Sequence, residues 1–169
     1  MHLSLEMLNA LPPTAWVAQL GGVYERSPWV AEAVLGGRPF TSGAGVREAM
    51  AAAVRGASAA AQRELICAHP DLGVRLAELA ALTPESRQEQ AAAGLGALSP
   101  AQAAQLAAGN AAYRARFGFP FIICARRHTA ASILQEMERR LDNEPEHEAA
   151  TALEEIHAIA SFRLKDILW

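Results

Sequence analysis

His69 closes an Ala-rich stretch that favours helix, and Pro70 and Asp71 follow it directly. Proline pushes the residue before it out of helical geometry, so the imidazole is expected on a rigid turn at a helix end. Imidazole titrates near neutral pH, which suits proton transfer. The plainer account is a histidine whose charged form is favoured by the carbonyl end of a helix. Ser86, Glu89 and Gln90 stand at i, i+3 and i+4, so a helix there presents hydroxyl, carboxylate and amide on one face. Such a face can hold a polar ligand. Ser86-x-x-Glu89 also reads as a capping box, with Thr83-Pro84 as a competing helix start. Arg163 lies four residues after Ile159 and four before Ile167, close to the apolar stripe of the last helix. A guanidinium there needs a carboxylate, supplied by another helix or by a ligand that it grips through two parallel hydrogen bonds.

One stretch breaks the helical pattern. Phe117-Gly118-Phe119-Pro120-Phe121-Ile122-Ile123-Cys124-Ala125 is apolar, partly β-branched and interrupted by proline, which reads as extended chain. No second stretch of comparable strength is available to pair with it. Its amides and carbonyls must still find partners, in nearby loops and side chains or in a ligand rich in N–H and C=O groups.

Other chemistries lack their residues. His147-Glu148 opens like a zinc-protease motif, but the position that needs the second histidine is Thr151, and His2, His128 and His157 make no ligand pair. No metal site is expected. The pairs Gly21-Gly22 and Gly36-Gly37 lack the lysine of a phosphate loop and the dinucleotide fingerprint. No Ser or Cys sits in a nucleophile elbow.

The elements that must position these residues are helices. Ser4 can cap a first helix that ends before Pro12-Pro13, and Thr14 a second that stops at Gly21-Gly22. Ser27-Pro28 and Ser99-Pro100 each pair a cap residue with proline at the first helical position. Ala-rich stretches 44–56 and 58–68 favour helix, and the longest helix is expected from Pro145 to Leu168, with apolar residues at spacings of three and four. The expected fold is all-α: one compact domain over residues 1–169, about eight to ten helices, and one short extended segment near 119–125.

The 169 residues suffice for one core without staples. A net charge of −3 with interspersed signs argues against a nucleic-acid partner, and no apolar run is long enough to span a membrane. The N-terminus lacks the basic start and apolar run of a signal peptide, and the C-terminus lacks a peroxisomal tripeptide. Cys67 and Cys124 stand apart, which fits a reducing compartment. A cytoplasmic protein is expected.

Several stretches in order along the chain resemble one family. They are Gly22-Val23-Tyr24-Glu25-Arg26-Ser27-Pro28-Trp29-Val30, Arg38-Pro39-Phe40, His69-Pro70-Asp71-Leu72-Gly73, and Glu85-Ser86-Arg87-Gln88-Glu89-Gln90 with Ala93-Gly94-Leu95. Asn110-Ala111-Ala112-Tyr113, residues 117–123, Arg139-Arg140-Leu141 and Arg163-Leu164 complete the set. Together they resemble the 2-oxo-4-hydroxy-4-carboxy-5-ureidoimidazoline (OHCU) decarboxylases of urate degradation. After His-Pro-Asp-Leu many members of that family carry Ala-Gly and a basic residue, where this chain has Gly73-Val74-Arg75.

The resemblance implies a helical homodimer that takes a small-molecule ureide and needs no cofactor. It makes His69 the proton donor, Pro70 a substrate contact, and Ser86, Arg87, Gln88, Glu89 and Gln90 a ligand-lining set with Glu89 as the catalytic carboxylate. The backbone of Phe121, Ile122, Ile123, Cys124 and Ala125 would bond the planar ureide edge, and Arg163 the anionic end. The implied substrate carries its carboxylate on a carbon next to a ring C=N. Loss of carbon dioxide pushes electrons into that imine, and protonation on carbon then gives (S)-allantoin. A helical interaction module and a hydrolase acting on a related ureide are the competing classes. A product assay separates all three.

Overall fold

The computed structural model describes residues 3–73 and 82–168. Met1, His2, residues 74–81 and Trp169 lie outside the described residues, and with them Val74 and Arg75 of the stretch Gly73-Val74-Arg75 that stands where many family members carry Ala-Gly and a basic residue. Among the described residues all regular structure is helical, in nine α-helices, and the fold class is all-α. No described helix is long and apolar enough to cross a membrane. Contacts group the chain into two units, Met1–Ala68 with His157–Trp169, and His69–Ile156.

The first unit holds α1 (Leu5–Ala10), α2 (Pro13–Leu20), α3 (Trp29–Ala33), α4 (Gly43–Arg55) and α5 (Ala59–Cys67), with the C-terminal part of α9 (Pro145–Ile167). Serine caps start three of them. Ser4 accepts the Met7 N–H at 3.1 Å, Ser42 that of Gly45 at 3.0 Å and Ser58 that of Ala61 at 3.2 Å. Two expected caps are corrected. α2 starts at Pro13 with Pro12 as its cap residue, and Thr14 sits inside the first turn. Pro13 is pre-set to helical φ and has no N–H to satisfy, and no side chain caps that start. α3 likewise has Pro28 as its cap residue, already in helical geometry, while the Ser27 hydroxyl donates to the Glu25 carbonyl at 3.0 Å.

Leu8, Trp16, Leu20, Val30, Val46, Met50 and Val54 form this unit's core, joined by Ala160 and Leu164 of α9. The Trp16 indole donates to the Ala31 carbonyl at 2.9 Å, and the Arg38 guanidinium lies 5.2 Å from the centroid of its ring.

The second unit holds α6 (Pro84–Ala92), α7 (Pro100–Phe117), α8 (Ala130–Leu141) and α9 as far as Ile156. Thr83 prevails over Ser86 as the start of α6: its hydroxyl oxygen accepts the Ser86 N–H at 3.2 Å, which places Ser86 within the helix. Ser99 caps α7 as expected and with Gln102 closes a capping box, and the helix ends at Gly118 in the left-handed region, φ 73°. α7 packs on α8 where Gly109 has no side chain, since a Cβ there would overlap the Met137 sulfur. Tyr113, Phe117, Phe119 and Phe121 pack as an aromatic cluster around the end of α7.

Candidate active site

α6 organises the site in the second unit. Ser86, Glu89 and Gln90 are 5%, 6% and 8% exposed, whereas Arg87 and Gln88 lie on the exposed side of the same turn. This is the helical period at work: positions i, i+3 and i+4 share the inward face, and the two residues between them do not.

Gln90 connects α6 to the turn that carries His69. Its Oε1 accepts the Gly73 N–H at 2.9 Å and its Nε2 donates to the Asp71 carbonyl at 3.4 Å. α7 holds the same turn from other residues. Asn110 Nδ2 donates to the Leu72 carbonyl at 2.9 Å, and Arg114 Nε lies 3.0 and 3.1 Å from the two Asp71 carboxylate oxygens. Gly73 has φ +65°, where a side chain is strained, and a Cβ there would meet the end of the Leu106 side chain unless that side chain shifted, so glycine suits this turn. His69 itself is buried, two residues beyond the last residue of α5, with Pro70 next to it.

Glu89 meets the non-helical segment. Its carboxylate lies 4.0 Å from Arg126 Nε, and α6 packs on the turn Ala125–Arg127. Phe121, Ile122, Ile123 and Cys124 are buried in neither helix nor strand, as expected for an extended stretch without a partner strand. Ala125 corrects the expectation, because it opens a 3-10 turn in which the His128 N–H donates to the Ala125 carbonyl at 3.0 Å. The Cys124 N–H donates to Glu155 Oε2 at 2.6 Å, and the Arg127 N–H to the Cys124 carbonyl at 2.9 Å. Burial pushes the Cys124 thiol up to about 11; Arg127 opposes that shift, and the carboxylates of Glu155 and Glu89 reinforce it.

The residues that sequence reasoning missed lie behind this segment. Arg140 donates from Nη1 to the Ile122 carbonyl at 2.7 Å and from Nε to Glu148 Oε1 at 2.8 Å. Glu148 also accepts from the Tyr113 hydroxyl and, at 2.7 Å, from Asn143 Nδ2. Burial, then the bond to Glu148, raises the Tyr113 pKa far above the usual phenol range. Arg140 and Tyr113 belong to the motif stretches quoted above, but Glu148 stood out only as part of an incomplete zinc pattern. Among the described residues, no group of three or more His, Cys, Asp or Glu side chains is placed to hold a metal ion.

Arg163 belongs to the first unit. Its Nη1 donates to Glu25 Oε2 at 2.8 Å and to the Gly22 carbonyl at 3.2 Å, with both charged side chains buried. The protein carboxylate that a buried guanidinium requires is therefore present, and it comes from the turn between α2 and α3 rather than from another helix. Beside it, the Tyr24 hydroxyl and His157 Nδ1 are 2.9 Å apart.

Comparison with known proteins agrees with the resemblance. The sequence model of the OHCU decarboxylase family matches residues 9–165. The 2-oxo-4-hydroxy-4-carboxy-5-ureidoimidazoline decarboxylase of Halalkalicoccus jeotgali is 43% identical over 166 residues, covering 98% of this chain and 92% of that protein. A crystal structure of (S)-allantoin synthase superposes with a TM-score of 0.80 at 30% identity over 98% of this chain, which spans 54% of that longer chain. An OHCU decarboxylase crystallised in the presence of (S)-allantoin gives a TM-score of 0.69 at 25% identity, over 90% of this chain and 95% of that one. On this match along nearly its whole length, the chain belongs to the OHCU decarboxylase family of enzymes.

Proposed function

We propose that the protein decarboxylates 2-oxo-4-hydroxy-4-carboxy-5-ureidoimidazoline to (S)-allantoin, with His69 as the acid that protonates carbon. The observation that carries this reading is the buried polar face of α6: Gln90 grips the turn of His69, and Glu89 lies beside the segment 121–125. Family membership supplies the substrate class.

The substrate is its own electron sink. As its carboxylate leaves as carbon dioxide, the bonding pair forms a C=C bond to the imine carbon and the imine π pair moves onto nitrogen, which takes a proton from solvent. As the hydroxyl gives up its own proton, the former imine carbon must then take a second one. His69 delivers it to one face. Glu89 orients the imidazole or accepts the proton of the substrate hydroxyl as the new carbonyl forms. General acid–base help of this kind is worth ~10²–10⁴-fold. Pro70 packs on the ring, the backbone of 121–125 takes the ureide edge, and Arg163 takes an anionic group. The reading needs no metal or organic cofactor and places one catalytic domain over 1–169 in a cytoplasmic homodimer.

The test is a product assay with freshly generated substrate, followed by circular dichroism. Optically active allantoin should form faster than in a blank without protein. No acceleration would overturn the reading.

A further inference from the structure

Arg140 is 1% exposed and its partner Glu148 0%. A buried ion pair is weak evidence for stability, because both charges lose their hydration and an apolar pair of similar volume often serves as well. This pair also does something that apolar residues could not do. From it, Arg140 Nη1 reaches the Ile122 carbonyl at 2.7 Å, while the guanidinium lies 4.6 Å from the centroid of the Phe121 ring. The Tyr113 hydroxyl and Asn143 hold Glu148 in place behind it. On α9, Glu155 takes the Cys124 N–H at 2.6 Å.

The protein's own bonds thus fall on residues 122 and 124, every second position. Extended chain turns the peptide groups of successive residues to opposite edges, with one residue's N–H and C=O on the same side. No described group bonds the N–H or C=O of buried Phe121 and Ile123, which in extended chain would face the alternate edge. A ureide, with its N–H and C=O groups in one plane, can bond such an edge as an added strand does.

We infer that Arg140, locked by Glu148 and Tyr113, is the positioning residue that selects this edge: it turns residues 122 and 124 toward the protein and leaves 121 and 123 to the ureide. The inference rests on the reading that this segment binds the substrate's ureide.

Arg140→Lys tests it. Lysine keeps the charge opposite Glu148 but lacks the planar fork that reaches the carboxylate and the carbonyl together. A loosened edge should raise KM roughly 10-fold and leave kcat within about twofold, the pattern of lost uniform binding. A purely structural role would lower Tm and the amount of active enzyme but leave KM alone. Unchanged KM in a folded variant overturns the inference. If Arg140→Lys does not fold, Tyr113→Phe carries the same test. It removes one hydrogen bond from Glu148 and should raise KM about threefold, and unchanged KM there is equally fatal. Amide NMR of the wild type titrated with (S)-allantoin separates this inference from the reading beneath it. Shifts should be largest at Phe121 and Ile123. Shifts confined to Ile122 and Cys124 overturn the edge assignment, and no response across the segment overturns the ureide reading as well.

Discussion

Gln90 holds Gly73 across the gap between α6 and the histidine turn, its Oε1 accepting the Gly73 N–H at 2.9 Å. The same side-chain amide donates to the Asp71 carbonyl at 3.4 Å, so one residue satisfies two backbone groups of that turn. Residues of two separate stretches, seventeen apart in sequence, are thereby joined. The helix face that would line the ligand also aligns the turn that would deliver the proton.

Gln90→Ala should remove both part-buried hydrogen bonds to the turn, at a cost of about 0.5–1.5 kcal/mol each. Amide hydrogen exchange at Gly73 should speed up, and turnover should fall in a variant that remains folded. Unchanged exchange at Gly73 would show that the turn is held without Gln90.

His69→Asn keeps size and polarity but cannot act as an acid near neutral pH. The catalysed rate should drop by roughly 10²–10⁴-fold, as for a lost general acid. Allantoin still formed should lose its handedness, because water would protonate either face. Circular dichroism of the product, read before allantoin racemises, decides the matter. A folded variant that makes one enantiomer at near wild-type rate removes His69 from the mechanism.

Arg163 is buried against Glu25, so removing its charge strands a carboxylate. Arg163→Met should destabilise by about 3–5 kcal/mol in urea unfolding. Arg163→Lys keeps the charge and loses the two-point grip, so it should fold and raise KM. Unchanged KM in a folded Arg163→Lys protein assigns this arginine to a structural role.

Cys124 should leave a mark on alkaline stability. Its thiol is pushed up to about 11 in the folded protein from an ordinary 9.0, so the folded state holds the proton more tightly. The corresponding stability is fully present below about pH 9 and is lost as pH rises toward about 11. Tyr113 shifts in the same direction, so the comparison must be with Cys124→Ala, which keeps Tyr113. Wild type should lose more stability than Cys124→Ala between those two pH values in urea titrations. Parallel losses would contradict the assignment.

Several features of the protein were determined by its sequence alone. Caps at Ser4, Ser99 and the Ala-rich stretches specify helix starts and interiors, because capping and helical periodicity act within about four residues. The same short range puts Ser86, Glu89 and Gln90 on one face, and proline with β-branched neighbours keeps residues 120–124 out of helix. Contests between adjacent signals are less legible: Thr83 prevails over Ser86, and Pro12 and Pro28 displace Thr14 and Ser27. Only the tertiary structure decided which partners the charged side chains find. Arg163 finds Glu25 at a separation of 138 residues, Arg140 finds the Ile122 carbonyl at 18, and Glu155 finds the Cys124 amide at 31. A charge removed from water must be matched wherever packing brings a partner, and that depends on how helices distant in sequence meet rather than on any local pattern.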